Sequence, residues 1–155
     1  MAENEKRLTR GTDWLGLLSF GFFLIIIGAI WMATPNLTEN VRDFLGDFHL
    51  QNVTENIVFP APEHQYDHLE VYTAAMQFCL IFGAFQILIL VLRLALHESL
   101  NKTAETLSGI TFWFSAGFFL YMLASKTIGW FGFLAGLIIS VGLMIITSSI
   151  IKLLR

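Results

Sequence analysis

TIGWFGFLAGLIISVGLMIITSSII, residues Thr127–Ile151, runs for 25 residues without an Asp, Glu, Lys, Arg or His. At about 1.5 Å per residue, such a helix outreaches the roughly 30 Å hydrocarbon layer of a bilayer. Three further stretches share the property: Trp14–Ala33, Val71–Leu92 and Leu107–Ser125. A helix in water needs a polar face, and none of the four provides one. Of the 155 residues, 55% are hydrophobic and 14% charged, with a mean hydropathy of +0.68. A soluble enzyme, a nucleic-acid binder and a disordered chain are thereby excluded. The expected fold is all-α: one polytopic membrane domain over residues 1–155, with four transmembrane helices in a bundle.

Charge placement orients the spans. Lys6, Arg7 and Arg10 precede the first, Arg93 and Lys102 fall between the second and third, and Lys152 and Arg155 close the chain. The other two connections hold Arg42 and Lys126. Under the positive-inside rule both termini and loop 93–106 are cytoplasmic, and loop 34–70 is external, in a multi-pass protein of the cell membrane. Trp14 and Trp31 bracket the first span, and Tyr72, Tyr121 and Trp130 fall at outer ends, where amphipathic rings favour the interface. The first apolar run, nearly 20 residues, exceeds a signal-peptide core of about 7–15, so a retained anchor is expected.

Loop 34–70 carries Glu39, Asp43, Asp47, Glu55, Glu63, Asp67 and Glu70 against Arg42. Pro35 ends the first span, and Asn36 with Glu39 has capping-box spacing. Leu37, Val41, Phe44, Leu45 and Phe48 then recur at helical intervals opposite Glu39, Asn40, Arg42, Asp43 and Asp47. A short amphipathic helix is expected, flat on the outer leaflet or over the bundle. Periodicity fades from Leu50, Pro60-Ala-Pro62 reads as an extended entry, and a helix is expected to restart at Pro62 and run into span two. Of the sequons, Asn52-Val-Thr is the one realistically placed for an external acceptor; Asn36 lies too near the membrane and Asn101 on the inner side.

Within the membrane, Gly129, Gly132, Gly136 and Ser140 form a small-residue stripe on span four, which invites close approach of another helix. That helix is expected to be span one, whose Gly21 and Gly28 are seven residues apart, or one from another subunit or a second copy. Ser108, Thr111 and Ser115 are expected to bond back to carbonyls of their own helix, and Gln77 and Gln86 to bond between helices. The abundant Phe side chains read as lipid-facing bulk and core filling.

No acid, base or histidine lies deep in a span, whereas proton pumps, ion-coupled transporters and voltage sensors use such groups at membrane depth. The single cysteine, Cys79, rules out an internal disulfide. One cluster carries chemistry. In Glu63-His64-Gln65-Tyr66-Asp67-His68, the histidines are four apart, as are Glu63 and Asp67. On a helix the imidazoles share a face, a pattern suited to Zn or Cu, with the carboxylates completing or orienting the site. His49 becomes a third ligand if the loop folds back. The bland alternative is a solvated helix start with acids at its positive end.

Four spans with a long first external loop resemble the tetraspan arrangement of claudin-type junction proteins. That group's paired loop cysteines and Trp motif are missing, so no residue role is carried over. Two readings follow. The chain is a non-enzymatic membrane subunit, scaffold or accessory protein, partnered by the lipid bilayer and by other membrane subunits or itself. Alternatively it is metal-linked, as an oxidase subunit or metal-ion channel using His64 and His68.

Overall fold

The computed structural model describes residues 14–54 and 57–153. Lys6, Arg7, Arg10, Glu55 and Arg155, which enter the charge argument, lie outside the described residues. The elements are α1 (Trp14–Ala33), α2 (Leu37–Gly46), β1 (Phe48–Thr54), β2 (Ile57–Pro62), α3 (Leu69–Ala95), α4 (Leu100–Ala124) and α5 (Trp130–Leu153). Helices α1, α3, α4 and α5 are each long and apolar enough to cross a membrane. Because these four alternate in direction, α2 and the two strands sit at the end where α1 and α4 finish and α3 and α5 begin.

The long helices pack in the order α1–α3–α4–α5. Tyr72, Cys79, Ala116, Leu120, Leu123 and Phe133 form the core between the last three. Phenylalanine fixes α1: Phe22 stacks on Phe85 at 3.7 Å between centroids, and Phe23 meets Phe78 and Phe82 edge-on at 5.2 and 5.5 Å. Offset and edge-on pairs favour these rings beyond simple area burial.

The glycine stripe on α5 receives a neighbour, and that neighbour is α4. A Cβ on Gly136 would lie 2.4 Å from both Cγ and Cδ1 of Phe119. Ser140, wholly buried, donates its hydroxyl to the Gly136 carbonyl at 2.9 Å. Gly132 faces Ile128 of the preceding turn, and Gly129 faces the Gln65 side chain. Among the described residues, Gly21 and Gly28 have nothing within 4 Å of a virtual Cβ, and α1 packs on α3.

Four expectations need correction. The chain is not all-α, because β1 and β2 form an antiparallel ribbon pairing Phe48 with Pro62, Leu50 with Pro60 and Asn52 with Val58. The β-branched and aromatic run Ile57-Val58-Phe59 favours a strand. Pro60 and Pro62, which lack N–H groups, are tolerated because a two-stranded sheet consists of edges. With Pro62 held opposite Phe48, no helix restarts there: residues 63–67 form turns, and α3 begins at Leu69. Asn36 stands at φ 54°, in the left-handed region, and makes no side-chain cap bond. A capping box needs an extended N-cap residue, so none forms. Finally, loop 93–106 shrinks to residues 96–99. Arg93 is drawn into α3, only 6% exposed, with its guanidinium donating to Glu98 at 3.1 Å.

Candidate functional site

At the capped end, Asp47 is the residue around which the connection folds. It is the C-cap of α2, where unpaired carbonyls disfavour a second negative charge. That conflict is offset by donors from three directions. The backbone N–H of His64 donates to Oδ2 at 2.8 Å, the imidazole Nδ1 of His64 to Oδ1 at 3.0 Å, and Nε2 of His68 to Oδ2 at 3.0 Å. A carboxylate only accepts, so each facing ring nitrogen carries the hydrogen. The Asp47 carbonyl accepts from the Glu63 N–H and from His49 Nδ1, both at 3.0 Å.

The turn of residues 63–67 makes this geometry possible. Its Asp67 N–H donates to the His64 carbonyl at 2.9 Å. His68 serves as the N-cap of α3, its carbonyl accepting from Tyr72 N–H. The Phe44 ring meets the His68 imidazole edge-on at 5.2 Å, and also meets Tyr72, Trp130 and Phe48. This aromatic block carries the apolar side of α2, although Leu45 stays exposed. Gln65 accepts the first N–H of α5, from Trp130, at 2.6 Å, and Trp130 Nε1 donates to the Pro60 carbonyl at 3.3 Å. The turn, the ribbon and the starts of α3 and α5 are thus bonded into one cap.

Exposure divides the cluster. Asp47 and His68 side chains are 14% and 10% exposed, whereas His64, Glu63 and His49 lie near 60%. Donation from His64, then from His68, holds the Asp47 carboxyl well below the usual range, with burial opposing. The same carboxylate pushes the His64 imidazole upward. An open cleft of about 500 Å³ runs past Arg42, Asp43, Asp47, His64, Asp67 and His68.

The expected residues are therefore brought together on different terms. His64 and His68 share a carboxylate and not a helix face. Asp67 lines the cleft, and Glu63 reaches His49 at 3.5 Å. Ligand atoms of Asp47, Glu63 and His64 all lie within 4.8 Å of one another. The sequence pattern places Asp47 only as one acid on the polar face of α2. Its role depends on chain reversal through the ribbon, which brings His64 and His68 back to the end of α2. His49, on β1, does approach Glu63 as the folded-back loop requires.

At the opposite end, Glu98 accepts from Arg93 and pairs with Lys102 at 3.5 Å. Ser108, Thr111 and Ser115 donate to the carbonyls of Glu105, Leu107 and Phe112, as their spacing on one helix suggests. Among the described residues, the buried Gln86 carbonyl oxygen has no hydrogen-bond partner and lies against Gly109. Comparison with protein-family models, curated proteins and solved structures finds no match, so the residues themselves carry the reading.

Proposed function

We propose that the chain is a non-enzymatic integral membrane subunit or accessory protein, inserted with both termini cytoplasmic and its cap outside the cell membrane. The observation that carries this reading is the outward apolar surface of α1 and α5. Leu17, Phe20, Leu24, Ile25 and Met32 on α1, and Ile138 on α5, are 52–89% exposed. Both helices pack on one principal long-helix neighbour, α1 on α3 and α5 on α4. Lipid tails satisfy such faces as well as protein does, and helix association in lipid then turns on close fit. Among the described residues, the middles of α1, α3, α4 and α5 carry no charged side chain, which suits a protein that binds other helices better than one that moves ions through itself.

Photocrosslinking residues at Ile25 and Ile138, introduced singly into the full chain in its native membrane, test this. A discrete protein adduct from either position, absent when the crosslinker replaces buried Leu123, is expected. Lipid adducts alone from both, with the detergent-extracted protein running as a monomer, would overturn the proposal.

A further inference from the structure

The cluster around Asp47 is more than a hydrogen-bonded corner, because ligand atoms of Asp47, Glu63 and His64 converge there while shielded His68 braces the Asp47 carboxylate. We infer that Asp47, Glu63 and His64 bind a divalent transition metal of the Zn(II) class, with His68 positioning Asp47 and His49 beside the open coordination position. This assignment stands apart from the subunit reading, and either can fail alone.

Distances support it. Zn binds imidazole nitrogen at about 2.0–2.1 Å and carboxylate oxygen at about 2.0–2.2 Å, so tetrahedral ligand atoms lie roughly 3.3 Å apart. The pair His64 Nδ1 and Asp47 Oδ1, at 3.0 Å, needs to open by only a few tenths of an ångström. The metal takes the place of the Nδ1 hydrogen now shared between them; from an imidazolium that proton leaves to water, and in a neutral ring it is exchanged through water for one on Nε2. Glu63 must close from within 4.8 Å. Its side chain is 59% exposed, which leaves it room to move. His49 Nδ1 is 3.5 Å from Glu63 Oε2, and it can complete the site by releasing the Asp47 carbonyl; otherwise water does.

His68 is unlike the others. Its Nε2 bonds Oδ2, the carboxylate oxygen turned away from His64 Nδ1, while Phe44 packs against its ring. A donor on the distal oxygen of a ligating carboxylate fixes that carboxylate's orientation. Asp67, whose N–H closes the turn, is left out of the ligand set.

The test uses full-length protein purified through a histidine-free tag, reconstituted in nanodiscs and stripped with chelator. Zn(II) is titrated by calorimetry, and Co(II) absorption reports the ligand field. One ion per chain is expected. His64→Ala and Glu63→Gln should each weaken binding at least a hundredfold, with the unfolding midpoint of the metal-free protein confirming that each variant is folded. His68→Ala should keep one-to-one binding with affinity about 10–100-fold lower, partly restored in His68→Gln, which can still donate. Asp67→Asn should bind as the wild type. Binding lost in His68→Ala and Asp67→Asn but kept in Glu63→Gln would overturn the ligand assignment. Equal Zn(II) content in wild type and His64→Ala would overturn the site itself and leave an ion-paired corner.

Discussion

Placing a methyl group at Gly136 tests the helix packing most directly, because the same substitution can be made elsewhere on α5 as an internal reference. A Cβ at Gly136 would meet Phe119 at 2.4 Å from both Cγ and Cδ1 and 2.8 Å from Cδ2. Those atoms are the root of the ring, so a flip of its far end gives no relief; the whole ring or the helix must shift. Overpacking of this kind costs about 1–3 kcal/mol. Gly→Ala also gains up to about 1 kcal/mol of helix propensity. Gly142, six residues on, has nothing among the described residues within 4 Å of a virtual Cβ, so Gly142→Ala gains the propensity without the collision. The propensity contribution cancels between the two variants. Gly136→Ala should therefore be less stable than Gly142→Ala by about 1–3 kcal/mol, roughly a 5- to 150-fold difference in unfolding equilibrium. Reversible denaturation in mixed micelles, or steric trapping in bicelles, measures it. Repeating the comparison in a Phe119→Ala background should erase most of the gap, since the obstructing ring is gone. Equal stability of the two alanine variants, or a gap that survives removal of Phe119, would refute the packing of α4 into this groove.

Orientation is checked by impermeant thiol labelling on intact cells: cysteine at exposed Asn52 should react, and cysteine at Asn101 should react only after permeabilisation. In chelator-treated protein, cap stability should follow Asp47 and His64. The lowered Asp47 carboxyl contributes stability above its ordinary value of 3.8, lost as pH falls below it, and the raised His64 imidazole contributes below 6.5, lost as pH rises through its shifted value. Protection of the Glu63 and His64 amides from hydrogen exchange should thus peak between about pH 4 and 6.5, and a profile flat from pH 4 to 9 would contradict the pairing. Glu98→Ala, which removes an acceptor from nearly buried Arg93, should destabilise by about 1–3 kcal/mol. Glu105→Ala, on the neighbouring turn of α4, should cost less than half as much in the same assay.

What could be read in the sequence was whatever a single segment decides for itself. The uncharged stretch Trp14–Ala33 predicts α1 and its end at Ala33, and the hydroxyls of Ser108, Thr111 and Ser115 bond within their own helix, as one-helix geometry requires. The errors lie where a residue answers to a distant partner. The partner of Gly136 is Phe119 because α5 follows α4 through a short connection and packs back on it. The ribbon was hidden because Pro60 and Pro62 argue against a strand in any sheet with an interior, and only a two-stranded sheet has none.

The candidate site illustrates the same division more sharply. Spacing of four between His64 and His68 suggested one helical face, and both imidazoles do converge, but on a carboxylate contributed by α2. Helix restart at Pro62 would have carried the pair along the α3 axis and away from Asp47. The ribbon prevents this by pairing Phe48 with Pro62, which sets the residue after Asp47 opposite the residue before Glu63. Asp47, Glu63 and His64 therefore become neighbours through backbone pairing, before any side chain chooses a partner. An acid at the end of α2 is disfavoured by the helix carbonyls there. It becomes tenable once the ribbon delivers two imidazole donors. The local conflict in the sequence, an acid at a helix C-terminus, is thus the one trace of the site that α2 itself carries.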